Sequence, residues 1–221
     1  MTRFVYATPP VPLALLALTA SLLLTPAWAV TTATPFAAEA QVQGTPLVLN
    51  GAGTRYRAVF KVYDMALYTP RKVGTPEELL ALPGPKLLRF TALRDIPGTD
   101  LGLAFIKGLS ANAPKELALK HTVSSNRLIE IFSGRSKLNP GDSFAMQFIP
   151  GLGTLFFIGD QPQGNPVGDA EFFAMVLNIW VGGSPADYGL KAALLGQEAV
   201  KEPLIPPQIL APDRLGPARP V

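Results

Sequence analysis

The residues whose types and spacing could do chemistry lie between Gly51 and Thr69, in the stretch GAGTRYRAVFKVYDMALYT. Strand geometry sends successive side chains to opposite faces. Without a bulge, Tyr56, Ala58, Phe60 and Val62 share one face, and Arg55, Arg57, Val59, Lys61 and Tyr63 share the other. The second face gathers a guanidinium, an ammonium and a phenol beside apolar Val59, Met65 and Leu67. Arginine grips a carboxylate through paired, charge-assisted hydrogen bonds, and a tyrosine hydroxyl adds one more. Such a face suits an amphipathic anion. The alternative is a solvated sheet face carrying scattered positive charge.

The elements that must position these groups follow from the surrounding text. Gly51 and Gly53 are expected to bracket a turn, because glycine accepts positive φ. The β-branched and aromatic residues after them predict one bent strand or two antiparallel ones. Upstream, 40–49 alternates weakly around Gly44-Thr45-Pro46, a short hairpin. Thr75-Pro76-Glu77-Glu78 is a helix start, with a cap, a proline in the first turn and acids at the positive dipole end. KLLRFTALR over 86–94 is a strand. The stretch 97–112 is a helix capped by Thr99, with Leu101, Phe105 and Leu109 on one stripe. A second helix over about 114–132 is open to interruption at Ser124, Ser125 and Asn126. Phe144, Met146 and Phe148 alternate in a strand, Pro150-Gly151-Leu152-Gly153 turns, and 154–158 returns. Asp169 caps the last long helix, whose stripe is Phe172, Phe173, Val176, Leu177 and Trp180. A short helix over 187–195 follows. Strands first, helices between, then a hairpin and a helix make an α+β fold with helices on one face of a mainly antiparallel sheet.

Composition narrows the function classes. The 221 residues carry no cysteine and a single histidine, His121. A thiol nucleophile, a disulfide framework, cysteine-ligated zinc and a histidine-rich metal site are therefore excluded. His121 sits away from any nucleophile-elbow pattern and is read as a surface or packing residue. The net charge is +3, with the basic residues scattered, so no nucleic-acid footprint is expected. No cofactor motif occurs.

Residues 1–29 read as a secretory signal. Arg3 is the only charge before Glu39, an apolar run covers 11–24, and Pro26-Ala27-Trp28-Ala29 offers a small-residue cleavage site. The run is short for a membrane span, so no stable membrane insertion is expected after cleavage, an uncleaved anchor being the alternative. A periplasmic or secreted protein follows. Residues 30–38 are expected to form a loose leader, 39–196 one domain, and 197–221 a proline-rich disordered tail.

GAGTR…FKVYDMALY, then GLSAN, then a Gly-Asp strand leading to PGLGT, then FFAMVLNIWVGGSP…LKAALLG, together resemble the chalcone isomerase-like proteins, in their bacterial exported branch. The resemblance covers about 41–196. It implies an open-faced β-sandwich, a large antiparallel sheet with helices laid on one face and a cleft between. In plant chalcone isomerases a strand arginine after a GxGxR turn holds the developing oxyanion, and Arg55 matches it. A threonine of their hydrogen-bond network is replaced here by Tyr63. The covering helix, DLGLAFIKGLSAN, has no tyrosine, and Asn112 falls late for the family's asparagine. A further threonine falls at Asn178 or Ile179. Catalysis of chalcone cyclisation depends on preorganised donors, and each one lost typically costs about 2.7–4 kcal/mol. Arg55 is the best candidate for a catalytic group if an isomerase or intramolecular lyase activity remains. The Arg-plus-Tyr pair also resembles the family's fatty-acid-binding members. This implies a small amphipathic, fatty acid-like ligand with its headgroup on Arg55 and Tyr63, near Asn112, and its chain lined by Met65, Leu67, Phe105, Leu109 and Trp180. A structural or partner-binding domain with a filled cleft is the remaining alternative.

Overall fold

The computed structural model describes residues 32–197. The expected signal over 1–29 and all but the first residue of the expected tail lie outside that range. In chain order the elements are β1 (Glu39–Val42), β2 (Thr45–Arg57), β3 (Phe60–Thr69), α1 (Pro76–Ala81), β4 (Lys86–Ala92), β5 (Ile96–Pro97), α2 (Gly98–Asn112), α3 (Lys115–Lys120), α4 (Thr122–Ser133), β6 (Lys137–Leu138), β7 (Ser143–Ile149), β8 (Gly153–Ile158), β9 (Gln161–Pro162), α5 (Ala170–Val181) and α6 (Tyr188–Leu194).

Seven strands form one antiparallel sheet in the order β1-β2-β3-β4-β7-β8-β9, and β5 and β6 pair separately. The main core lies between one face of this sheet and the helices. Tyr63, Met65, Leu67, Leu88, Phe90, Phe144 and Met146 rise from the strands to meet Phe105, Leu128, Phe132, Phe172, Val176 and Trp180. This is the α+β, open-faced architecture expected. The two long helices beside the cleft, α2 and α5, bury the stripes their spacing predicts, since apolar residues at i, i+3 and i+4 share one side, whereas α3 buries no residue and Val123 of α4 is exposed.

The long apolar-aromatic stretch is a hairpin. β2 and β3 turn at Ala58 and Val59, with Ala58 at a φ of +53°. Arg55 and Tyr63 therefore share a face as cross-strand partners, Arg55 lying directly opposite Tyr63. A register shift between Arg55 and Tyr56 resets the alternation beyond them.

Gly51 and Gly53 do not make a turn. Both lie inside β2, and neither has a positive φ. Their function is close approach: a Cβ on Gly51 would stand 2.1 Å from the Ala193 carbonyl oxygen, and one on Gly53 would stand 2.7 Å from the Ala193 Cβ. The missing side chains let α6 lie against the strand backbone.

Three further expectations are corrected. α2 starts at Gly98, one residue before Thr99, and has no side-chain cap. Thr99 cannot cap because its backbone is already helical. The second helix breaks at His121, not at Ser124 to Asn126, leaving α3 and α4. Residues 32–38, expected to be loose, run across the outer face of the sheet. The Thr34 N–H donates to buried Asp64 at 2.7 Å, Tyr68 donates its hydroxyl to the Ala37 carbonyl at 3.0 Å, and the Leu49 N–H reaches the Ala38 carbonyl. Phe36 packs there on a second, smaller apolar cluster that includes Val42, Leu47, Tyr68 and Leu87.

Candidate functional site: a basic-mouthed cleft between sheet and α2

A cavity of about 560 Å³ opens between the β2–β3 hairpin, α2 and the C-terminal end of α5. Arg55, Tyr63, Phe144 and Trp180 line its inner part. Leu101, Ala104, Phe105 and Gly108 of α2 form the facing wall. That volume falls in the ordinary range for small-ligand sites, roughly 300–1,000 Å³.

Tyr63 and Trp180 form the polar floor. The Trp180 indole N–H donates to the Tyr63 hydroxyl oxygen at 2.8 Å, and both residues are buried. Indole is a donor only, so the phenol oxygen is the acceptor and its own proton stays available. That proton has no acceptor among the described residues. Phe90 and Phe144 meet the Tyr63 ring edge-on at centroid separations of 5.5 and 6.4 Å. Burial pushes the Tyr63 phenol above its usual value. The charge of Arg55, the hydrogen bond from Trp180 and the close approach of the Arg55 guanidinium to the phenol oxygen pull in the opposite direction without cancelling it. The phenol is neutral at physiological pH, so it keeps an O–H able to donate to an acceptor in the cavity.

Arg55 leans over that ring, its guanidinium carbon 5.5 Å from the Tyr63 centroid. Its Nε is buried and has no hydrogen-bond partner. No carboxylate lies within ion-pairing distance of it among the described residues. Asp187 is the acid whose charge bears on Tyr63, but its oxygens accept from the Tyr56 and Leu190 N–H groups at 2.9 Å each and cap α6. A buried N–H left without an acceptor is costly, and a guanidinium N–H especially so. The arrangement is an open donor set, Arg55 and the Tyr63 hydroxyl, above an aromatic floor.

The mouth adds charge. Arg57, Arg94 and Lys107 line it with Asp95 and Asp100. Asp95 is held by Lys137 at 2.6 Å.

Of the residues singled out from sequence, the cleft brings together Arg55, Tyr63, Phe105 and Trp180. Met65 and Leu67 share the face of Tyr63 but are fully buried and do not line the cavity. They lie opposite Gly53 and Gly51, the two positions that α6 covers. Leu109 points into the core between the helices. Asn112 is committed elsewhere. Its amide nitrogen donates to the carbonyls of Gly108 and Ser184, and its oxygen accepts from the Ser184 N–H at 2.9 Å. It ties the end of α2 to the loop after α5 and so holds the rim. Ile179, one of the two positions with Asn178 to which the resemblance assigns a threonine, lines the cavity at the end of α5. Arg94, Lys107 and Leu103 were missed. The one available signal was the four-residue spacing of Leu103 and Lys107 on the helix face beside Phe105.

His121 packs where α3 meets α4. It is buried, and its Nε2 lies 3.0 Å from Glu171. Asp169 completes a cluster of possible metal ligands within 4.8 Å of one another. The Lys120 ammonium is bonded to the same Glu171 oxygen and already supplies the cation there.

Comparison with known proteins agrees with the fold. A fatty-acid binding protein of Arabidopsis thaliana shares the fold, with a TM-score of 0.57 over 73% of this chain and 91% of that one, at 14% identity. No curated protein matches the chain. A family model described as chalcone isomerase-like matches residues 29–196, most of the chain, which therefore belongs to the chalcone isomerase-like family.

Proposed function

We propose that the protein is a non-catalytic binder of an amphipathic carboxylate, a fatty acid being the simplest, held between the sheet and α2. The single observation that carries this reading is the unpartnered, buried Arg55 Nε beside the free proton of the Tyr63 hydroxyl. The two donors fit the two oxygens of a carboxylate. The aromatic floor and the apolar wall of α2 suit the acyl chain. That a structural relative at 14% identity is named a fatty-acid binding protein supports the reading on the side of fold. The test is native mass spectrometry of the purified protein followed by titration with a long-chain fatty acid. Saturable one-to-one binding that Arg55→Ala weakens by about 10- to 100-fold supports the proposal, and the absence of binding rejects it.

We also propose that the protein is exported, its signal removed after Ala29. Sequencing of the mature N-terminus would then start at Val30, and an intact Met1 would reject export by cleavage. No helix among the described residues is long and apolar enough to cross a membrane.

A further inference from the structure

The tip of the β2–β3 hairpin exposes more apolar surface than a solvated turn needs. Val59 is 82% exposed, Phe60 60% and Tyr56 45%. Isolated exposed apolar residues are ordinary, but a cluster of large ones at the end of a projecting hairpin is not. Cations surround this cluster. Arg57 and Lys61 flank the turn, and the Arg94 guanidinium sits 5.6 Å from the centroid of the Phe60 ring. Across the cleft mouth, α2 adds exposed Leu103, Ile106 and Lys107. Arg57, Arg94, Leu103 and Lys107 all line the cavity, so the tip and the helix edge are two sides of one opening.

The acids near this opening are few and mostly engaged. Asp95 is paired with Lys137, Asp187 caps α6, and only Asp100 at the first turn of α2 faces the mouth without an ion-pair partner among the described residues. The net result is a projecting apolar point ringed by four exposed cations, Arg57, Lys61, Arg94 and Lys107.

We infer that this surface docks on an anionic lipid bilayer, Val59 and Phe60 entering the headgroup–acyl boundary while the four cations meet lipid phosphates. Interfacial binding grows with buried apolar area plus attraction to anionic headgroups, and this surface carries both together. An aqueous protein partner of acidic character would satisfy the cations but would leave the protruding Val59-Phe60 point in need of a matching pocket. A bilayer has no such requirement. Docking would face the cleft mouth to the membrane, so the surface gains its use from the fatty-acid reading above, although its existence does not depend on it.

The chain contains no cysteine, so a single environment-sensitive fluorophore can be placed at will. The full chain carrying Val59→Cys with such a label is mixed with phosphatidylglycerol vesicles and, separately, with phosphatidylcholine vesicles. A blue shift with rising intensity on the anionic vesicles alone is expected, suppressed by high salt. The same label at Val123→Cys, 83% exposed on α4, reports adsorption elsewhere and is expected to stay unchanged. Adding Lys61→Glu to the Val59→Cys chain should weaken the response by about tenfold or more, as expected for reversing one charge near an anionic surface. Val59 and Lys61 do not line the cleft, so the substituted chain should bind fatty acid in solution as before. A silent tip label overturns the inference, as does an equal response at Val123. A tip response that grows with protein concentration without vesicles also overturns it, assigning the surface to a second copy of the chain. Loss of fatty-acid binding with the vesicle response intact would instead reject the cleft reading alone.

Discussion

Trp180 and Tyr63, 117 residues apart in sequence, share one hydrogen bond of 2.8 Å at the bottom of the cleft. It joins α5 to β3 at a point where Tyr63 and Arg55 line the same cavity. Deleting either end of such a bond should show both in stability and in coupling. Tyr63→Phe orphans the indole N–H at a cost of about 1–3 kcal/mol. In a double-mutant cycle with Trp180→Phe, urea melts should give a coupling of about 0.5–3 kcal/mol. Strict additivity would mean that the bond contributes nothing.

Arg55→Ala should separate binding from stability. Arg55 makes no protein hydrogen bond at Nε, so its loss should move the folding free energy by no more than about 0.5 kcal/mol. A hydrogen bond to a charged group contributes about 1.5–3 kcal/mol, so affinity for a fatty acid should fall about 10- to 100-fold by calorimetric titration. A large fall in Tm would mark Arg55 as structural.

Gly51→Ala tests the close approach of α6. The added methyl would meet backbone at 2.1 Å, which only displacement of α6 relieves. Overpacking of this kind costs about 3 kcal/mol or more, a fall in Tm of roughly 6–12 °C for a domain of this size. Gly74→Ala, with nothing within 4 Å, should be near neutral. Equal melting temperatures for the two variants would contradict the packing described.

The acid limb of stability should depend on Glu171. Its carboxyl is held below the usual value of 4.5, first by the hydrogen bond from Lys120 and then by that from His121. A depressed carboxyl stabilises the fold above the unfolded-state value, and that contribution is lost as pH falls through the folded-state one. Glu171→Gln should therefore lower Tm at pH 7 and flatten its decline below about pH 4.5, the two proteins converging in strong acid. Parallel Tm–pH curves would remove Glu171 from the account.

Chalcone cyclisation should proceed at the rate of the buffer control. With Ile179 lining the cavity at the end of α5 and no tyrosine on α2, the donors that the resemblance implies for the reaction are reduced to Arg55 and Tyr63. Loss of two such donors costs on the order of 10⁴-fold or more. Turnover of naringenin chalcone clearly above background, abolished by Arg55→Ala, would make the protein an enzyme.

The sheet, the helices and their apolar stripes were legible because periodicity reports burial directly: Phe172, Phe173, Val176, Leu177 and Trp180 are all buried as spaced. Arg55 and Tyr63 were brought to one face correctly, although by an alternation that did not allow for the turn at Ala58 and Val59. What escaped depends on distant contacts. Nothing local says that the backbone of α6 will fill the space at Gly51 and Gly53, so two strand glycines read as a turn and Met65 and Leu67 read as cleft wall. Asn112 looked like a ligand group because its partner, the backbone of Ser184, lies 72 residues away. The rim cations Arg94 and Lys107 carry no local mark of the opening they share.

The glycine-mediated seat of α6 on β2 has a mechanical consequence. At Gly51 backbone meets backbone with no side chain between, at Gly53 only the Ala193 methyl and the Leu190 side chain intervene, and the bond from the Tyr56 N–H to Asp187 braces the same joint. The jaw that bears Arg55 is therefore the stiff one. On the binding reading proposed above, a bulkier guest would be accommodated by displacement of α2, which lacks a side-chain cap at its start and is moored near its end through Asn112.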